Sequence, residues 1–137
     1  MYMLDTNAAS AAMRGTAGLD ERLRRLEPEQ WCISAITHAE LRFGAALRPE
    51  STKVARYVDG FLATARTAPW DHAAADIHGR LRAELRRSGT PIGDYDEMIA
   101  AHALALGSVL VTDNVKHFQR VAGLVLENWV RKELGEQ

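Results

Sequence analysis

The residues of this sequence that can do chemistry are acids. Asp5 closes the apolar run MYML, Asp113 closes SVLVTD with Asn114 beside it, and Glu40 lies within AITHAELRFGAAL. Asp94 and Asp96 open the stretch PIGDYDEMIAAHAL. Asp5 and Asp113 each have an ordinary use as turn or capping residues, in DTN and TDN. Asp94, with Glu97 three residues on, has the spacing of a capping box. Asp96 lacks such a use. Counted from Ile99, the apolar face of its helix takes in Tyr95, Ala103 and Leu106, and Asp96 lies at its edge. It stands in a first turn, where the helix dipole favours negative charge. Glu40 falls within the stripe Ile36, Ala39, Phe43 and Leu47, where an unpaired buried carboxylate is costly and must find a cation, a metal or solvent. Carboxylates gathered from separate segments raise one another's pKa unless a cation neutralises them. Oxygen donors without a cysteine cluster suit Mg²⁺ or Mn²⁺ rather than structural zinc, and a carboxylate-held Mg²⁺ suits phosphate chemistry.

The elements that must position these acids alternate between short apolar strands and helices. MYML, WCIS, TAPW, SVLVTD and LVLENW read as strands. Helices are expected over TNAASAAMRG, over GLDERLRRLEP up to Pro28, over AITHAELRFGAAL and from about Ser51 to Ala65. Further helices are expected over HAAADIHGRLRAELRRSG, over the stretch that opens with Asp94, and over NVKHFQRV. Pro28, Pro49, Pro69 and Pro91 all fall at the boundaries of these elements, where a missing N–H does least harm. Such alternation implies an α/β fold with a parallel sheet covered on both faces, whose site lies outside the carboxyl ends of its strands. Asp5 and Asp113 both occupy that edge.

Length and composition narrow the class. The 137 residues suit one domain, spanning 1–137, with a sizeable core. At 47% hydrophobic and 26% charged, the chain has the balance of a globular protein and not of a disordered one. No apolar run is long enough to span a bilayer, and the chain reads as cytoplasmic. Cys32 is the sole cysteine, which rules out an internal disulfide and a cysteine-based metal site. The net charge of −1 does not mark a nucleic-acid binder, so an anionic partner would need a local patch. The densest basic cluster, Arg80, Arg82, Arg86 and Arg87, reads first as a solvated helix face. His102 reads as a hydrogen-bonded, partly buried histidine, and His72, His78 and His117 show no metal-binding spacing.

Taken together, MYMLDTN, ISAITHAEL, GTPIGDYDEMIAAHAL and VLVTDNVKHFQRVAGLVLENW resemble, in order and over nearly the whole chain, the PIN-domain toxins of the VapC type. The resemblance implies a three-layer α/β/α sandwich around a mainly parallel sheet, and a homodimer. It implies a Mg²⁺-dependent endoribonuclease, with Mn²⁺ a possible substitute, held inactive by a cognate antitoxin. The hydrolysis it implies leaves a 5′-phosphate and a 3′-hydroxyl. Carried over by motif, Asp5, Glu40 and Asp96 become catalytic and metal-binding acids, with Thr6, Asn7 and Thr112 as polar support. Asp113, counted among the catalytic acids, comes one residue before the family's fourth acid, whose place Asn114 takes. Arg82 and Arg86 become phosphate contacts on RNA. Members most similar in PIGDYDEMIAAHAL include toxins that cut initiator tRNA in its anticodon loop, and tRNA is the substrate this raises.

Two other readings compete. A catalytically silent PIN fold serving as a protein-binding module would have lost its acids, yet Asp5, Glu40 and Asp96 are present. A phosphohydrolase with an aspartyl nucleophile needs a second Asp where Asn7 stands, and a response-regulator receiver needs an acidic pair where Asp5 stands alone.

Overall fold

In the computed structural model, which describes residues 1–130, the short apolar runs become the strands of one sheet. They are β1 (Tyr2–Leu4), β2 (Trp31–Ser34), β3 (Thr67–Ala68), β4 (Val109–Val111) and β5 (Leu126–Glu127). Their order is β3-β2-β1-β4-β5, and every pairing is parallel. The connecting helices are α1 (Thr6–Met13), α2 (Leu19–Arg24), α3 (Ala35–Ala46), α4 (Thr52–Thr64), α5 (His72–Arg87), α6 (Asp94–Leu106) and α7 (Val115–Phe118).

Strand alternation divides the core in two. Met3 lies beside Cys32 and Leu110 in the register, and Leu4 beside Ile33 and Val111. Successive residues point to opposite faces of a sheet. Leu4, Ile33 and Val111 accordingly pack with Ala8, Leu23, Leu41 and Val58 of α1 to α4. Met3, Cys32 and Leu110 pack instead with Leu81, Leu85, Ile99 and Phe118 of α5 to α7. Both rows are fully buried, as expected of a parallel sheet covered on each face. The α/β/α sandwich read from the sequence is therefore the fold observed.

The chain runs from β1 outward to β2 and β3, then returns to place β4 on the other side of β1. This reversal opens a crevice beyond the carboxyl ends of β1 and β4, the place where doubly wound sheets bind ligands.

Three local expectations need correction. The helix expected to reach Pro28 ends at Arg24, and Pro28 begins a separate short 3₁₀ turn to Gln30. The apolar stripe assigned to α3 is not its buried face. Ala39, Phe43 and Leu47 are exposed, whereas Thr37 and Leu41 are buried. Apolar residues occur on both sides of this helix, so periodicity alone cannot choose between them. Thr37 turns inward because its hydroxyl meets that of Thr6 on α1 at 3.2 Å. On α6 the buried side comprises Glu97, Ile99, Ala100, Ala101, His102 and Ala103, while Tyr95 and Leu106 face solvent.

The phase of α3 can be tested with two leucines. Leu41→Ala should lower the unfolding free energy by about 2–5 kcal/mol in urea, and Leu47→Ala by no more than about 0.5 kcal/mol. A cost at Leu47 equal to or above that at Leu41 would restore the original stripe.

Candidate active site

The carboxyl edge of β1 and β4 carries a connected set of polar groups. Asp5 is only 3% exposed. Its Oδ1 accepts the Ala8 N–H at 2.8 Å, which caps α1. It also accepts a hydrogen bond from the Thr112 hydroxyl. Thr112 Oγ1 in turn accepts the Asn114 N–H at 2.9 Å. One buried hydroxyl thus ties the end of β1 to the loop after β4.

Burial pushes the Asp5 carboxyl up to about 6, and the nearby charges of Asp96 and Asp113 push in the same direction. The bonds from Thr112 and Ala8 only partly oppose them. Three acids from separate segments therefore meet in one electrostatic neighbourhood. Asp96 is half-buried in the first turn of α6. Burial raises its pKa as well, opposed by His117, whose Nε2 lies 3.4 Å from Asp96 Oδ2. Asp113 Oδ1 accepts a bond from Asn128 Nδ2 at 3.0 Å, and Asn128 Oδ1 accepts the Val130 N–H.

Glu40 reaches the same edge by another route. Thr6, next to Asp5, donates its hydroxyl to Glu40 Oε1 at 2.5 Å. The carboxylate is half-buried on α3 and leans toward α1 through this bond. Asn7 and Asn114 are exposed, and both line a polar cleft of about 550 Å³ with Ser10, Arg14, Thr16 and Asp113.

The arginines divide. Arg82 is engaged by Asp94 at 3.6 Å and by Glu97 at 4.0 Å, while Arg86 is exposed and pairs with no described acid. Asp94 itself is not the cap of α6. Gly93 occupies that position at φ +106°, a region open to glycine alone, and no side chain caps the helix. Glu97 is not half of a capping box either. It is 2% exposed, and its Oε2 accepts the N–H of Ile92, one residue before the cap. The sequence spacing was right for a box, but the helix starts one residue earlier than that box requires. His102 is a core histidine, 1% exposed, with Nδ1 2.8 Å from Ser34 Oγ, and burial pushes its pKa down.

Two neighbours of the acids were given no role by the sequence. Arg14 pairs with no described acid and lies at the cleft, and its signal was available: Asn7, Ser10 and Arg14 fall on one face of α1. His117 gave no such signal, because its approach to Asp96 depends on how α7 folds back under α6.

Among the described residues, no group of three or more His, Cys, Asp or Glu side chains is gathered closely enough to hold a metal ion. Three protein ligands are not what the chemistry demands. Mg²⁺ keeps several waters and takes one or two protein carboxylates. A carboxyl raised by burial, and further by its acidic neighbours, with oxygen donors around it, fits a hard divalent cation.

Comparison with known proteins identifies the family. The PIN domain profile matches residues 2–124. The chain is 39% identical over 130 residues to the tRNA(fMet)-specific endonuclease VapC of Salmonella typhimurium, covering 93% of this chain and 97% of that one. It is 35% identical over 133 residues to Ribonuclease VapC2 of Rickettsia felis, covering 94% and 98%. Among solved structures, VapBC2 from Rickettsia felis bound to a DNA fragment from its promoter superimposes with a TM-score of 0.82 at 34% identity, covering 93% and 98%. DNA-bound VapBC from Salmonella typhimurium gives 0.81 at 39% identity, covering 93% and 97%. The chain belongs to the PIN-domain family, alongside the VapC ribonucleases.

Proposed function

We propose that this protein is a divalent-metal-dependent endoribonuclease, the toxin of a toxin–antitoxin pair, acting on tRNA in the cytoplasm. The observation that carries this reading is the meeting of Asp5, Asp96 and Asp113 beyond β1 and β4, with Asp5 buried and pushed up to about 6. The relatives named as ribonucleases, one of them tRNA(fMet)-specific, support the substrate class, with initiator tRNA as the first RNA to try. The solved VapBC neighbours support an antitoxin partner. Exposed Phe43 and Leu47 on α3 and Tyr57 on α4 are apolar surface that such a partner would cover. No helix among the described residues is long and apolar enough to cross a membrane.

Asp5 and Asp96 are the residues that would hold Mg²⁺ or Mn²⁺, and Asp113 adds negative charge beside them. When bound, such a cation lowers the pKa of water and offsets charge on a phosphate. The chain's own groups do the rest. Thr112 and the Ala8 N–H fix the Asp5 carboxylate in one orientation. Glu40, with one oxygen taken by Thr6, orients the attacking water through the other. Asn7 and Asn114 line the cleft as donors to the RNA backbone, and the Arg14 guanidinium there is placed to take a phosphate. Arg86 is free to reach RNA further out, whereas Arg82 serves first to steady the start of α6.

Purified protein should cut initiator tRNA in Mg²⁺ or Mn²⁺ and stop on addition of EDTA. Asp96→Asn should lose activity by roughly a hundredfold or more, since it removes metal-held charge stabilisation worth several kcal/mol. Asp94→Asn should keep most activity, because Asp94 is exposed and its pairing with Arg82 is a surface contact. An active Asp96→Asn beside a dead Asp94→Asn would reverse the assignment.

The raised Asp5 carboxyl also makes the metal-free protein sensitive to pH. A folded pKa above the unfolded one favours the protonated form, so this stabilisation is complete below about pH 4 and is lost as pH rises through about 6. In EDTA, the unfolding free energy of wild type relative to Asp5→Asn should fall by about 2 kcal/mol between pH 4 and pH 7. Asparagine still caps α1, so the difference isolates the charge. Adding Mn²⁺ at pH 7 should restore stability to wild type and not to the variant. A pH-independent difference would contradict the acid cluster.

A further inference from the structure

The loop before α6 is held at one peptide from both sides. Ile92, 4% exposed, is anchored in the core among α5, α6 and α7. Its N–H donates to Glu97 Oε2 at 3.2 Å. Its carbonyl accepts a short hydrogen bond from His117 Nε2. Glu97 lies one residue after Asp96, is almost fully buried, and faces Arg82 at 4.0 Å. The preceding carbonyl, that of Pro91, accepts from Arg120 at 3.4 Å. The next residue is Gly93, with the φ of +106° from which α6 departs.

His117 therefore has a second neighbour as well as the Ile92 carbonyl, since the same Nε2 stands 3.4 Å from Asp96 Oδ2. Both neighbours are acceptors, so this nitrogen carries a hydrogen whichever charge state the ring adopts. The Ile92 carbonyl fixes the ring, and the ring presents its donor edge to the carboxylate.

We propose that His117 is a positioning residue for Asp96: pinned by the Ile92 peptide, which buried Glu97 holds from the other side, it keeps the Asp96 carboxylate in place for a divalent cation. The proposal rests on the reading of Asp96 as a metal ligand. A group that orients a ligand without touching the metal typically contributes ten- to a hundredfold in metal affinity. A role confined to pinning α7 to the loop would instead appear in stability and leave metal affinity alone.

Glutamine and methionine are nearly equal in length and volume, but only glutamine carries a donor. His117→Gln and His117→Met are therefore compared with wild type and Asp96→Asn by Mn²⁺ titration calorimetry and by thermal unfolding in EDTA. His117→Met should bind Mn²⁺ about tenfold more weakly than wild type, and His117→Gln within about threefold of it, with the two variants melting alike in EDTA. Equal Mn²⁺ affinity in the Gln and Met variants overturns the positioning role. If Asp96→Asn binds Mn²⁺ as tightly as wild type, the metal-ligand reading of Asp96 has failed, and the proposal falls with it.

Discussion

The structure turns on one buried carboxylate kept close to two others. Asp5 lies at the end of a central strand, nearly without solvent, while Asp96 and Asp113 add to the cost of its charge. Burying a carboxylate is expensive, and burying it beside like charges is more so. The fold accepts this because several elements are fixed around the same point. The Ala8 N–H comes from α1, the Thr112 hydroxyl from the end of β4, and the counter-donor on Asp96 from α7. The first two favour ionised Asp5 and the third favours ionised Asp96, yet burial leaves the Asp5 carboxyl high. On the proposed function, a divalent cation is the partner whose charge would match what remains.

The sheet topology explains why these elements meet there. The reversal between β1 and β4 leaves the ends of both strands without a crossing connection above them. The apolar rows Met3–Cys32–Leu110 and Leu4–Ile33–Val111 fix both strands against two helical layers, and the next residues along are polar. The rigid part of the site is thus a continuation of the core. The remaining part is the entry into α6, where Gly93, Ile92 and Glu97 set the direction in which Asp96 leaves the loop.

Much of this was legible in the sequence for identifiable reasons. The buried strands appear as short apolar runs ended by an acid or serine, and the prolines mark the gaps between elements. Asp5 and Asp113 could be placed at the same sheet edge because strand ends are visible in the pattern. Helical phase was legible only where one face is plainly apolar. On α3 it failed, because Phe43 and Leu47 form an exposed apolar stripe and polar Thr37 is buried against Thr6. Glu40 was singled out from that mistaken face, and its link to the site is Thr6. At α6, a one-residue shift of the helix start turned an expected capping box into a buried Glu97 holding the preceding loop. The approach of His117 to Asp96 is a tertiary contact across 21 positions of sequence and has no local pattern to betray it.

The central claim is that Asp5 and Asp96 hold one divalent cation between them. Anomalous diffraction from crystals soaked in Mn²⁺, collected at the manganese edge, tests it most directly. The account predicts a peak within coordination distance, about 2.0–2.3 Å, of carboxylate oxygens from both residues. A peak that touches neither carboxylate, or no peak in protein that cleaves RNA with Mn²⁺, would contradict it.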